Sequence, residues 1–460
     1  MPSPTINNGE NTARLREMDQ IHLWHPFTQM RLWPGEPPLV IARAEGNWLI
    51  DSDGQRYFDG VSSLWVTVHG HCHPEINAAI AAQLKALDHS TLLGLSHGPA
   101  IELAARLTAM TPAGLSRVFY SDSGSTAVEI ALKMAFQFWQ QSGRPEKRSF
   151  ISLEGAYHGD TLGAVSVGGI ELFHQVYGPL LFQVRKLPQP HCRRCRLGLI
   201  YPSCDLACAQ ALEPMLTTHG QEICALIVEP KVQGADGMIV QPKGYLKRLE
   251  QICRRHDVLL ICDEVATGFG RTGAMFACEL EDVSPDFLCL GKGITGGVLP
   301  LSATLATERV YQAFLGEFHE FKTFFHGHTY TGNPLACAAA LASLDLMEKN
   351  RVVASLAPRI AQLKASLAEI ARLPHVAEVR QQGMMVGIEL LEDVAAERPY
   401  PPELRLGHQV IMACRKRGVI IRPLGDTIVL MPPLASKEEE IALLLKATAE
   451  AIADITGGRP

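Results

Sequence analysis

Four short apolar runs punctuate the middle of this chain, at 150–153, 225–228, 258–262 and 287–290, each bounded by glycine, proline or charge. Runs that short, with Ser152 their one polar residue, predict strands buried on both faces, as in a parallel sheet. Around them the apolar period lengthens. Val128, Ala131, Leu132, Ala135, Phe136 and Trp139 fall on one helical face, with Glu129 and Lys133 spaced as a favourable pair on the other. Helices are also predicted over 75–87, 245–256 and 335–347, so strand and helix alternate as in βαβ units. Beyond Asn350 the pattern becomes mixed, with a long helix over 352–373, strands over 384–390, 419–422 and 428–431, and helices over 407–416 and 438–455. Residues 1–20 read as a frayed lead-in, and strands near 39–42 and 47–50 precede a turn at Asp51-Ser52-Asp53-Gly54. The fold class expected is therefore α/β. A large domain over 61–345 has a mainly parallel sheet and a Cys-rich insert at 188–209, and 346–460 forms a small α+β domain that the N-terminal segment 1–60 joins.

Composition narrows the function classes. The chain has 460 residues, enough for two or three domains at about 150 residues each. Its hydrophobic content of 47% and charged content of 20% are those of an ordinary globular protein. A net charge of −6 offers no basic footprint for nucleic acid, and no apolar run approaches the ~20 residues of a membrane span. Residues 1–17 lack the apolar core of a signal peptide, so a cytoplasmic location is expected. Cys224, Cys253, Cys262, Cys289 and Cys337 sit inside apolar segments, as small buried hydrophobes do in a reducing compartment.

Two of the predicted strands deliver a charge at their C-terminal ends, Asp263 after the run at 258–262 and Lys292 after the run at 287–290. Ligands of open α/β sheets bind outside the carboxyl ends of the strands, so both residues are expected to face one crevice. An amine and a carboxylate delivered together suit pyridoxal phosphate, which needs a lysine for its Schiff base and an acid for its pyridinium nitrogen. The plainer alternative is a buried ion pair. Ser123-Gly124-Ser125 opens the helix that begins near 125, where free N–H groups, hydroxyls and the positive dipole end make a phosphate site; simple capping by Ser125 is the alternative. Tyr157, on the glycine-flanked loop Gly155-Ala156-Tyr157-His158-Gly159, is placed to stack on a planar ring, or else is a half-buried loop tyrosine.

Other motifs carry less. Cys192, Cys195, Cys204 and Cys208 have a spacing open to two readings, a structural zinc loop or reduced cysteines in an elaborated surface loop; neither would carry the main chemistry. His69, His71 and His73 alternate, but Gly70 and Pro74 mark a turn rather than a metal site. The Asp51 turn lacks the later glycine and glutamate of a calcium loop, and the G-x-G-x-x-G at Gly291–Gly296 lacks the acidic residue of a dinucleotide fingerprint. No metal is assigned to the main site.

Over nearly its whole length the chain resembles the class III aminotransferases of the fold-type I pyridoxal-phosphate group. The resemblance rests on Asp263-Glu264-Val265-Ala266-Thr267-Gly268-Phe269-Gly270-Arg271, followed by Gly291-Lys292-Gly293. Trp24-His25-Pro26-Phe27-Thr28-Gln29-Met30, Ser121-Asp122-Ser123-Gly124-Ser125 and Tyr157-His158-Gly159-Asp160-Thr161 are similar to the branch that converts 8-amino-7-oxononanoate to 7,8-diaminononanoate in biotin synthesis. The resemblance implies that Lys292 holds pyridoxal 5′-phosphate and shuttles the proton, that Asp263 pairs with the pyridinium, and that Gly124 and Ser125 hold the phosphate. It further implies that Tyr157 stacks near ring and substrate, that Trp65 and Gly327 line the substrate pocket, and that Arg422 takes the substrate carboxylate. Thr329, with His328 beside it, would reach the cofactor of a neighbouring subunit, making a homodimer with active sites at the interface. Phe27 and His328 depart from the tyrosine and proline common in the branch and resemble members that use L-lysine rather than S-adenosylmethionine as donor. The alternative is a related enzyme acting on ornithine, 4-aminobutyrate or another ω-amine.

Overall fold

The computed structural model describes residues 8–36 and 38–457. Among them, seven strands form one sheet in the order Leu115–Ser121, Ser302–Thr307, Phe287–Leu290, Leu259–Asp263, Ile223–Val228, Ser149–Leu153, Val184–Leu187. Ser302–Thr307 runs antiparallel to both neighbours and the other pairings are parallel. The three central strands, Ile223–Val228, Leu259–Asp263 and Phe287–Leu290, are buried at every position, as their unbroken apolar runs require. One core packs on each face of the sheet, with Leu260, Cys262 and Leu288 in one and Leu259, Ile261 and Phe287 in the other.

The helix Gly124–Gln141 crosses the sheet and buries Val128, Ala131, Leu132, Ala135 and Trp139. Phe136 is the exception to the predicted face, at 41% exposed, while Ala127, Ile130 and Phe138 are buried in its stead. The expected Glu129–Lys133 pairing gives way to tertiary bonds. Glu129 accepts from the backbone N–H groups of Gly163 (2.6 Å) and Ala164 (3.2 Å), and Lys133 reaches His326 Nδ1 at 2.9 Å.

The C-terminal part builds its own sheet from Val376–Gln382, Met385–Leu390, Thr427–Leu430 and Arg422–Leu424, all antiparallel, over a separate apolar core. Two expectations change here. The helix expected to run to 373 ends at Ile370, and a strand over Val376–Gln382 pairs back through a turn at Gly383, whose φ is 59°. The segment expected as one strand over 419–422 divides. Val419–Ile420 pairs parallel with Arg56–Asp59 of the N-terminal hairpin, whereas Arg422–Leu424 joins the C-terminal sheet. Arg422 therefore stands where the chain crosses from one sheet to the other.

Of the lead-in, residues 1–7 lie outside the described residues, and the rest is not frayed: Asn8–His22 is a helix. It docks on the Asp51–Gly54 turn, where Thr12 Oγ1 bonds Ser52 Oγ (2.7 Å) and Asp53 Oδ1 (2.9 Å). Among the described residues no helix is long and apolar enough to cross a membrane.

Candidate active site

The carboxyl ends of the parallel strands converge on one crevice. Leu259–Asp263 delivers Asp263, Phe287–Leu290 leads to Lys292, Ile223–Val228 leads to Glu229, and Ser149–Leu153 leads to Tyr157 and His158. With Trp65, Ser123, Gly124 and Ser125 these side chains line a cavity of about 470 Å³. A second cavity of about 480 Å³ shares Trp65, Tyr157 and Lys292 with the first and adds Phe27, Phe173, Asp236 and Arg422. Lys292 thus stands at the junction of two chambers, each within the size range of small-molecule sites. Its Nζ lies 5.0 Å from the centre of the Trp65 ring, and burial holds the amine below its ordinary pKa against the opposing pull of Asp263 and Glu229.

Asp263 is buried and fixed through both oxygens. Oδ2 lies 2.7 Å from His158 Nδ1, and Oδ1 accepts from the backbone N–H of Val265 at 3.1 Å. The other nitrogen of His158 is buried without a hydrogen-bond partner among the described residues, as is the indole N–H of Trp65. Glu229 accepts from the N–H groups of Tyr157 (3.1 Å) and Gly234 (2.9 Å); burial, reinforced by the nearby charge of Asp263, pushes its pKa up to about 8. The other charges of the Asp263–Arg271 stretch do structural work. Glu264 accepts from Ala277 and Cys278 N–H, and Arg271 ties Thr67 O (2.6 Å) to Pro432 O (2.8 Å) across the two parts of the fold.

At the helix end, capping falls to Ser123 rather than Ser125. Ser123 and Thr126 form a reciprocal capping box. Ser125 is left to bond Thr161, its Oγ lying 2.8 Å from Thr161 Oγ1 and accepting from Thr161 N–H at 3.0 Å. A Cβ on Gly124 would stand 2.4 Å from Val265, and one on Gly159 would stand 2.4 Å from Ser125 Oγ. Bare glycine backbone therefore closes the cup around the helix N-terminus, a form suited to phosphate. The two chambers also include left-handed backbone at non-glycine residues, Phe27, Trp65 and Lys292 having φ of 51°, 66° and 41°.

A match to the family model for class III aminotransferases extends over residues 32–452. The chain is a class III aminotransferase. It is 57% identical to the adenosylmethionine-8-amino-7-oxononanoate aminotransferase of Nitratidesulfovibrio vulgaris, over 97% of this chain and 82% of that one. It is 54% identical to the enzyme of the same name from Geobacter sulfurreducens, over 97% and 99%. The crystal structure of the Methanocaldococcus jannaschii enzyme of that name superimposes with a TM-score of 0.92 at 44% identity, covering 96% of this chain and 99% of the other. An amine transaminase from an uncultivated Pseudomonas species, solved in its PLP-bound form, gives 0.89 at 41% identity, over 94% and 98%.

The residues of this aminotransferase fit the pyridoxal phosphate that its family uses. The chamber offers an amine, a buried carboxylate backed by histidine, a glycine-walled helix N-terminus and an orphaned indole N–H. Gly327, His328 and Thr329 are not part of this chamber. They line a separate cavity of about 1,120 Å³, where His328 Nδ1 lies 2.6 Å from Asp122 Oδ2. Leu93, Ile101 and Phe325 line that cavity, at 89%, 57% and 71% exposed. The insert cysteines Cys192, Cys195, Cys204 and Cys208 line one small void of about 20 Å³, and burial raises the thiols of Cys192 and Cys208 above their ordinary pKa. Among the described residues no group of three or more His, Cys, Asp or Glu side chains is arranged to hold a metal ion.

Sequence reasoning gave no role to His158, Glu229 or Asp236. Glu229 had a legible signal, since it follows directly on the apolar run at 225–228, and His158 lies on the loop into which the run at 150–153 leads at the same edge of the sheet.

Proposed function

We propose that this aminotransferase converts 8-amino-7-oxononanoate to 7,8-diaminononanoate for biotin synthesis, with S-adenosylmethionine as amino donor, in the cytoplasm. The observation that carries the reading is that Arg422 lines one cavity with Phe27, Trp65, Tyr157 and Lys292, supported by near full-length relatives of that name. Phe27 and His328 favour a second reading of the donor alone, L-lysine, on the resemblance noted above.

In this reading the chain's residues divide the labour. Pyridoxal phosphate, when bound, supplies the electron sink that makes the substrate's C–H bond acidic. Lys292 would hold the cofactor carbonyl carbon and, once displaced, carry a proton between the substrate carbon and that cofactor carbon. The pull of burial on its amine favours the neutral, proton-accepting form this requires. Asp263 would keep the ring nitrogen protonated, with His158 and the Val265 N–H fixing both carboxylate oxygens. Gly124 and Ser125 would receive the phosphate, and Tyr157 would cover the ring from the loop that Glu229 anchors. Arg422 would take the carboxylate of the oxo acid by a charge-assisted contact.

The site would be shared between two copies. The exposed apolar side chains around Gly327, His328 and Thr329 support burial of that face in a homodimer, which would carry Thr329 to the partner's phosphate and Gly327 to its substrate pocket. The residues divide accordingly into a large domain over 61–345 and a small domain over 346–460 joined by 1–60; the pairing of Val419–Ile420 with Arg56–Asp59 supports that division.

The test is turnover of 8-amino-7-oxononanoate by PLP-loaded enzyme with S-adenosylmethionine or L-lysine in parallel, the diamine detected by mass spectrometry. Diamine from S-adenosylmethionine supports the reading, diamine from lysine alone moves the donor, and no diamine from either overturns it.

A further inference from the structure

The substrate cavity carries an acid as well as the base Arg422. A hairpin of Val232–Gln233 and Ile239–Val240 presents Ala235 and Asp236 at its turn, and both line the chamber that holds Arg422 and Lys292. The turn is held in place. A Cβ on Gly234 would stand 3.1 Å from the Trp65 ring, and Gly237 has a φ of 101° that only glycine adopts freely. Gln189 Nε2 donates to Asp236 Oδ2 at 2.5 Å. Gly155 closes over that pair, since a Cβ there would stand 2.2 Å from Gln189 Nε2 and 2.5 Å from Asp236 Oδ2.

What Asp236 lacks is a counter-charge, for among the described residues no ion pair includes it. The basic side chains that bear on it are His191 and Arg380, and both are committed elsewhere. His191 lies 3.0 Å from Glu378, and Arg380 pairs with Glu378 at 2.6 Å and Glu389 at 3.0 Å. Burial holds the Asp236 carboxyl above its ordinary pKa despite the Gln189 bond. A positioned carboxylate served by one neutral amide, on the wall of a binding chamber, is made to receive a cation from the ligand.

We infer that Asp236 is the specificity determinant for the amino donor and receives its second positive charge, the sulfonium or ammonium on the donor's side chain. The inference rests on the function proposed above. Both substrates of an aminotransferase occupy one chamber in turn, and here they differ in remote charge. The oxo acid brings a carboxylate, which Arg422 answers. A donor of the S-adenosylmethionine or lysine kind brings a cation away from its reacting amine, which Asp236 answers. Opposite charges on one wall let the chamber serve both.

The test separates the two half-reactions of holoenzyme by stopped-flow absorbance, each titrated to yield an apparent Kd and a limiting rate. In Asp236→Asn, which keeps the shape and the Gln189 contact, the donor Kd is expected to rise about tenfold or more, the loss of one charge-assisted contact. The acceptor Kd should move at least ten times less. Asp236→Glu should recover most of the donor affinity, and wild-type preference for S-adenosylmethionine over neutral S-adenosylhomocysteine, or for lysine over norleucine, should collapse in Asp236→Asn. An unchanged donor Kd, or equal damage to both half-reactions, overturns the inference. If wild-type enzyme itself fails with 8-amino-7-oxononanoate, the parent reading fails first and takes the inference with it, a result visible before any variant is made.

Discussion

Two ionisable residues make the account testable one side chain at a time. Arg422 is assigned the oxo-acid carboxylate, so Arg422→Ala is expected to raise the KM for 8-amino-7-oxononanoate by about 10- to 100-fold, with a smaller change in kcat. Equal losses in both would contradict that role. Glu229 gives a pH signature. Its pKa is about 8 in the folded chain against about 4.5 when unfolded, so between those values the native state holds a proton that the unfolded state has released. That contribution to stability is present at low pH and fades as pH rises through the window, by up to about 1.4 kcal/mol per pH unit. The melting temperature of apoprotein should therefore fall more steeply from about pH 5 to about pH 8 in wild type than in Glu229→Gln. Parallel profiles would show that Glu229 does not carry the proton.

Among elements, the helix Gly124–Gln141 carries the proposed phosphate end of the site. Gly124→Ala drives a methyl to 2.4 Å from Val265 and is expected to destabilise the fold by about 1–3 kcal/mol and to weaken PLP binding at least tenfold. Thermal unfolding and a cofactor titration check both, and unchanged cofactor affinity would argue against a phosphate there. This element also shows how far the sequence reaches. Its apolar period placed the helix and Ser-Gly-Ser placed its start, because capping chemistry and periodicity are local. The Glu129–Lys133 pair went elsewhere because distant partners, Gly163, Ala164 and His326, decided it. Val376–Gln382 escaped detection for a similar reason. Its burial is irregular, and its pairing with Met385–Leu390 supplies what its own sequence lacks.

For the molecule as a whole, the Asp263–Lys292 site was readable because each residue ends an apolar run, and sheet topology brings such ends together. Asp236 was not, since its significance depends on a hairpin, an amide from the Cys-rich insert and an arginine from the C-terminal sheet meeting at one cavity. The proposed sharing of the site between two copies can be tested by subunit mixing. Lys292→Ala homodimers and homodimers carrying a disruptive substitution at Thr329 should each be impaired, yet mixed dimers should regain activity, since one site then pairs an intact Lys292 with an intact partner Thr329. If Thr329 served its own chain, mixing would restore nothing.

The most direct test of the account converts the enzyme to its pyridoxamine form, removes the donor, and adds 8-amino-7-oxononanoate alone. The expected result is one equivalent of 7,8-diaminononanoate per active site as the absorbance of the lysine-bound cofactor returns. Absorbance that stays in the pyridoxamine form with this oxo acid, but recovers with another carbonyl acceptor, would contradict it.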